Sequence, residues 1–206
     1  MLEVVAPQDV RRSAFVNAAR EAFFAHGYAG TTMSSIAVAV GGSKTTLWSY
    51  FPSKQDLFVA VVDDLVETYG AALEVPMDPE EGVEDALRRF GHAMMGIVLS
   101  PPIISLHRLV TGEAGRFPEL GPLFLERGAR RGKTILIAYL TEAMRDGRIR
   151  RGNPEVAARH FAVMCQSGCH AQMMLGQVDA PAPGQLSDDI EAAIKTFVSG
   201  WAHSSP

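Results

Sequence analysis

Five residues in one short stretch, Ser43, Lys44, Thr45, Thr46 and Ser49, combine small hydroxyls with one long cationic side chain. Hydroxyls donate and accept short hydrogen bonds and an ammonium neutralises phosphate, so the set suits base edges and backbone in a major groove. Rival chemistry is missing. The chain contains no G-x-S-x-G, P-loop, G-x-G-x-x-G or H-E-x-x-H sequence, and no set of general bases, so no enzyme is expected. Cys165, Cys169, His160 and His170 fall close together in sequence. Each histidine is five residues from Cys165, so the four cannot converge from one helix, and no Cys-x-x-Cys frames them. The two cysteines are expected as small core residues in a reducing compartment, and neither metal nor cofactor is expected.

The elements that position the polar set are helical. Phe15, Ala18, Ala19, Ala22 and Phe23 trace one apolar stripe between Asp9 and His26, and Gly27 can end that helix in a left-handed conformation. Thr31 or Thr32 can cap a short helix through Val40, and Ser43 can cap another through Tyr50. Between them Gly41 permits a tight turn, Ala37 is small where one helix approaches the other, and Ile36, Val40 and Leu47 can seal the contact. This is the pattern of a helix-turn-helix. A fourth helix begins at Pro52 and Ser53, with Asp56 completing a capping pair and Leu57, Val61, Leu65 and Tyr69 forming its stripe. A Pro/Glu/Asp-rich linker covers Val75 to Gly82. Further helices are expected at 83–99, 103–113, 120–146, 154–176 and 187–203. Pro101-Pro102, Gly115 with Pro118, the stretch 147–154 and the stretch 179–184 separate them. The expectation is an all-α protein of about nine helices.

The motif resembles the TetR (TetR/AcrR-like) family of bacterial transcriptional regulators. The resemblance rests on Thr31-Thr32, Ile36-Ala37, Gly41, Ser43, Leu47, Trp48, Tyr50-Phe51 and Lys54, preceded by Phe23, Gly27 and Tyr28, and covers about residues 9 to 60. It implies an N-terminal three-helix DNA-binding domain at 1–56 and an effector-binding and dimerisation domain at 57–206, the fourth helix linking them from about residue 54. It also implies that Lys44, Thr45 and Ser49 face bases, with Ser43 beside them, while Thr32, Thr46, Trp48, Tyr50 and Lys54 mostly hold phosphates. Two positions depart from the family pattern. Gly42 replaces the usual valine, which removes a side chain from the turn, and Trp48 replaces the commoner tyrosine, exchanging a phenol for an indole N–H.

Overall composition fits this reading. The chain has 206 residues, 47% hydrophobic and 20% charged, and a formal net charge of -4, so any nucleic-acid contact must be local. Residues 1–56 hold five Lys+Arg and four Asp+Glu, a formal +1, against -5 for the rest. Two copies are therefore expected on DNA. With no signal-like start and no long apolar run, a cytoplasmic protein with no membrane partner is expected. Clusters Arg127, Arg130, Arg131, Lys133 and Arg145, Arg148, Arg150, Arg151 read as solvated surface.

In the second half, Met94, Met95, His107, Phe124, Met164, Gln166 and Met173 are candidates for a pocket that takes a hydrophobic small-molecule effector. Phe161, Gly168, Ala171 and Leu175, with Ile190, Ile194, Phe197 and Trp201, form two apolar stripes. The family pattern places a homodimer seam on these helices, although periodicity fits an intrachain core equally. The expected function is a ligand-responsive regulator, acting as a repressor on a near-palindromic double-stranded operator. The competing reading is a helical small-molecule-binding or scaffold protein that has lost DNA binding.

Overall fold

The structure is a computed structural model that describes residues 7–70, 77–78, 80–128 and 130–202. Eleven helices and no strand occur among the described residues. They are α1 (Pro7–Gly30), α2 (Met33–Ala39), α3 (Lys44–Tyr50), α4 (Lys54–Gly70), α5 (Val83–Val98), α6 (Pro101–Glu113), α7 (Leu120–Arg127), α8 (Arg130–Arg145), α9 (Pro154–Cys165), α10 (Cys169–Met174) and α11 (Gln185–Trp201). None is long and apolar enough to cross a membrane by itself. The expected linker lies partly outside the described residues.

The chain divides into two compact units. The first runs to Thr68 and also takes in Ser105–Gly128, so the division falls inside α6. Its core is built from Phe15, Ala19 and Phe23 of α1, Ile36 and Ala37 of α2, Leu47 of α3, and Leu57, Phe58, Val61 and Leu65 of α4, all essentially inaccessible. Phe23, Tyr28 and Phe58 meet with ring centroids 5.5–5.7 Å apart, and Phe117 adds its ring to Tyr28 at 4.9 Å. Such contacts add to the hydrophobic burial that dominates the domain's stability.

The second unit holds α5 and α8–α11. Its core joins Leu87, Phe90 and Met95 of α5, Leu136 and Leu140 of α8, Phe161 and Cys165 of α9, and Ile190, Ile194, Phe197 and Trp201 of α11. Phe161 meets Phe197 edge-on at 5.7 Å, and Phe197 stacks on Trp201 at 5.9 Å.

Eleven helices replace the nine expected because two long ones break. The stretch 120–146 separates at Gly128, which ends α7. The stretch 154–176 separates at Gln166–Gly168, where the Asp189 carboxylate from α11 accepts the Cys169 N–H at 2.8 Å. That carboxylate occupies the space a Cβ on Gly168 would need. A tertiary contact of this kind leaves no trace in helical periodicity. Pro101 and Pro102 separate α5 from α6 as expected and also open α6 themselves, two residues before its expected start, where the missing N–H is not required. Arg148 and Arg150 are not purely solvated. Arg148 donates to Glu81 O and Tyr139 Oη, at 3.2 and 3.0 Å, and Arg150 stacks 4.2 Å above Trp201.

At the end of α1 the chain bends sharply. Gly27 takes φ 74°, ψ 170°: its φ is positive, but its ψ is extended rather than that of the expected left-handed helical cap, and one more helical turn follows. A Cβ there would also collide with the Glu113 carboxylate. Gly27→Ala is therefore expected to lower the unfolding free energy by roughly 1–3 kcal/mol, measured by urea denaturation. A change below about 0.5 kcal/mol, the range of ordinary surface substitutions, would refute it.

Candidate nucleic-acid interface

Helix α2 starts with a reciprocal cap. Thr32 Oγ1 accepts the Ser35 N–H at 3.0 Å, and Ser35 Oγ accepts the Thr32 N–H at 3.2 Å, satisfying two donors that a helix start leaves unpaired. Met33, Ile36 and Ala37 face inward. The helix closes with Gly41 N–H donating to Val38 O and Gly42 N–H to Ala37 O, both at 3.0 Å. This paired closure requires a left-handed residue, and Gly41 supplies it with φ 67°.

Ser43 then caps α3, its Oγ accepting the Thr46 N–H at 3.1 Å. Leu47 is fully buried and anchors the helix, while Ser43, Lys44, Thr45, Trp48 and Ser49 remain exposed. Positions 44, 45, 48 and 49 lie on one helical face, so the structure brings the candidate base-facing residues together on one strip. Their roles differ, however. Ser43 and Thr46 share a hydroxyl contact at 2.8 Å, and Ser49 Oγ donates to Thr46 O at 2.7 Å. Lys44, Thr45 and Trp48 make no hydrogen bond among the described residues. Trp48 is 49% exposed. Tyr50 is half-buried with its ring 5.9 Å from Phe15.

Gly42 is explained by its neighbour. A Cβ there would lie 3.2 Å from Phe15 Cζ, so the fully buried Phe15 ring fills the space that a valine side chain would take. Thr32 and Lys54 carry structural duties. Thr32 is the α2 cap described above. The Lys54 ammonium donates to Tyr28 O at 2.8 Å and Thr31 O at 3.1 Å and sits 4.3 Å over the Tyr28 ring. Burial pushes its pKa down, an effect that Glu113 opposes. Thr31 Oγ1 lies 2.8 Å from Gly27 O and 3.0 Å from Ala22 O. Glu113 accepts the Ala29 N–H at 3.1 and 3.2 Å with its two oxygens. Sequence analysis missed Glu113 because its partner is 84 residues away.

The candidate effector residues divide between the units. Met94, Met95 and Met173 are buried in the second unit, Met164 packs against that core, and Gln166 donates its amide to Ala162 O at 3.0 Å. His107 and Phe124 belong to the first unit and meet edge-on at 4.7 Å. Within the first unit an open cleft of about 350 Å³ is lined by Phe23, Phe24, Gly27, Ser105, Arg108, Leu109, Gly112 and Glu113.

Five of the eight candidate dimer residues, Phe161, Ile190, Ile194, Phe197 and Trp201, fill the chain's own core. Their inward stripe serves the neighbouring helices of the same protomer. Gly168 is half-buried against Asp189, whereas Ala171 and Leu175 are exposed, with Val163 on the preceding helix. Cys165 and Cys169 are free and buried, and burial pushes their thiols up to about 12 and about 11. Among the described residues no cluster of three or more metal-type ligands occurs.

An exposed polar strip on the second helix of a capped helix-turn-helix is the geometry of a DNA reader. Residues 15–61 match the family described as "Bacterial regulatory proteins, tetR family", and residues 85–202 match "AefR-like transcriptional repressor, C-terminal domain". The second match covers more than half of the chain, and the protein belongs to the TetR family of transcriptional regulators. The descriptions of the matched family models and of the curated relatives are of transcriptional regulators and name no enzyme. Over 82 residues it is 34% identical to the HTH-type transcriptional repressor ComR of Escherichia coli (strain K12), 39% of each chain. Over 88 residues it is 36% identical to the HTH-type transcriptional activator FasR of Mycolicibacterium smegmatis, 41% of this chain and 40% of that one. The chain thus spans about two fifths of the length of these curated relatives. Among solved structures it is similar to the Flavonoid-responsive Regulator FrrA, with 28% identity, a TM-score of 0.82, and coverage of 96% of this chain and 100% of that one.

Replacing Lys54 by methionine keeps most of the stem but removes both ammonium bonds. Lys54→Met is expected to lower the unfolding free energy by about 1.5–3 kcal/mol, read from urea midpoints. An unchanged midpoint would show that the ammonium does not secure the α1–α2 junction.

Proposed function

We propose that the protein is a homodimeric, ligand-responsive repressor that reads a near-palindromic operator with two copies of α3. The observation that carries this reading is the strip Lys44, Thr45, Trp48 and Ser49, exposed on a short helix that Leu47 pins to the core. One seven-residue helix reaches only a few base pairs, so two copies in successive major grooves, about 34–36 Å apart, supply a usable site. Lys44 and Thr45 supply base contacts, and Thr32, Thr46, Trp48 and Tyr50 border the backbone.

The second copy docks on the outer face of α9–α11. Val163 is 61% exposed and Leu175 77% exposed, with Ala171 between them in sequence, and α11 presents the small residues Ala192, Thr196 and Ser199 outward. Exposed branched apolar side chains beside small ones suit close helix packing in a four-helix seam. The C-terminal match to AefR-like repressors supports repression. The likeness to a regulator described as flavonoid-responsive, with the methionine-rich interior of the second unit, supports an apolar effector. Such a ligand acts by differential affinity for two states, a coupling of about 1–3 kcal/mol.

Selection of the purified protein on a pool of random duplexes, followed by sequencing, is expected to enrich a two-fold-related motif. Lys44→Ala is expected to relax preference at fixed positions by about 1–3 kcal/mol per base pair. Enrichment of no motif would remove the operator reading and leave a helical binding protein. For the dimer, Leu175→Glu changes a residue outside the core, so the fold is expected to persist while sedimentation reports monomers. A Leu175→Glu protein that still sediments as a dimer would place the seam elsewhere.

A further inference from the structure

The cations of the first unit are mostly committed inside it. Arg20 pairs with Asp64 at 3.0 Å, Arg127 pairs with Asp63 at 2.6 Å, Lys54 binds two carbonyls, and Arg116 stacks on Phe117 at 5.4 Å. Arg12 lies 5.2 Å over the Phe51 ring. Arg11 is different. It is exposed, and among the described residues no carboxylate or carbonyl accepts from its guanidinium. Its guanidinium lies beside the turn of the helix-turn-helix, where a Cβ built on Gly42 would lie 3.5 Å from Arg11 Nη2. Gly42 directly precedes Ser43, the cap of α3. The absence of a side chain at residue 42 therefore leaves room for two things, the Phe15 ring below and the Arg11 guanidinium beside the turn.

We infer that Arg11 belongs to the DNA face and grips a backbone phosphate at the edge of the groove that α3 enters. The inference rests on the reading of α3 as the recognition helix. A guanidinium offers a planar fork of N–H donors that matches phosphate oxygens. Lying next to the start of α3, it supplies a positive charge that Lys54, bound internally, does not. The pairing also gives Gly42 a purpose, because a branched side chain there would contest the space of both neighbours.

Phosphate contact predicts a sequence-independent loss. Each neutralised phosphate contributes a slope of about 0.9 in log affinity against log salt, which at roughly 0.15 M salt corresponds to about fivefold in affinity. In anisotropy titrations of the full chain, Arg11→Ala is expected to bind both a random-sequence duplex and a selected duplex about fivefold more weakly per bound protomer, with the slope reduced by about 0.9. Arg11→Lys is expected to restore most of the slope, and Arg11→Gln to behave like Arg11→Ala. If Arg11→Ala keeps the wild-type slope while Lys44→Ala weakens binding to the selected duplex, the Arg11 assignment fails and the recognition-helix reading stands. If the loss is confined to the selected duplex, Arg11 reads a base and the phosphate assignment is overturned. If the wild-type protein binds neither duplex, the DNA-binding reading fails and takes this inference with it.

Discussion

Gly27 turns the end of α1 out of helical geometry, and backbone groups around the bend bond to side chains. Unpaired polar groups in a protein interior are costly, and three side chains from three parts of the chain answer them. Thr31 donates toward the carbonyls of Gly27 and Ala22, Lys54 donates to those of Tyr28 and Thr31, and Glu113 accepts the N–H of Ala29. The direction in which α2 leaves α1 is fixed by this set, and with it the direction of α3. A reading surface of seven residues is useful only if its orientation is fixed. The junction supplies that orientation from within the first unit.

The same junction explains why a lysine in a DNA-binding motif need not be a phosphate contact. Counting charge along residues 1–56 treats Lys44 and Lys54 alike. In space they are opposite cases: one ammonium projects from an exposed strip and the other is turned inward against two carbonyls and an aromatic ring. Formal charge thus understates how selectively the unit deploys its cations. Carboxylates at Asp63 and Asp64 hold Arg127 and Arg20. The charge available to a polyanion is set by which cations lack internal partners.

Much of the helix-turn-helix was legible because its determinants are local. A cap and its partner lie three residues apart, as in Thr32 with Ser35 and Ser43 with Thr46, and the left-handed residue of a tight turn announces itself as glycine. The all-helical class followed from periodicity in the same way. What escaped notice depends on residues distant in sequence. Glu113 reaches Ala29 across 84 residues, and Asp189 reaches Cys169 across 20, breaking a helix that the apolar stripe alone would continue. Gly42 read as a lost core side chain because the ring that replaces it comes from α1.

The dimer stripe shows the limit of periodicity most clearly. Phe161, Ile190, Ile194, Phe197 and Trp201 repeat at helical spacing, and that spacing fixes which face is apolar but not which molecule covers it. In the structure that face is spent within the chain, where Phe161 meets Phe197 edge-on and Phe197 stacks on Trp201. Of the large apolar side chains in the two stripes only Leu175 stays exposed, and Val163, which the stripes omit, is exposed with it, an anomaly for branched apolar side chains on otherwise polar faces. The aromatic stripe thus completes the core within one chain, and periodicity alone could not have assigned it there rather than to a neighbouring molecule.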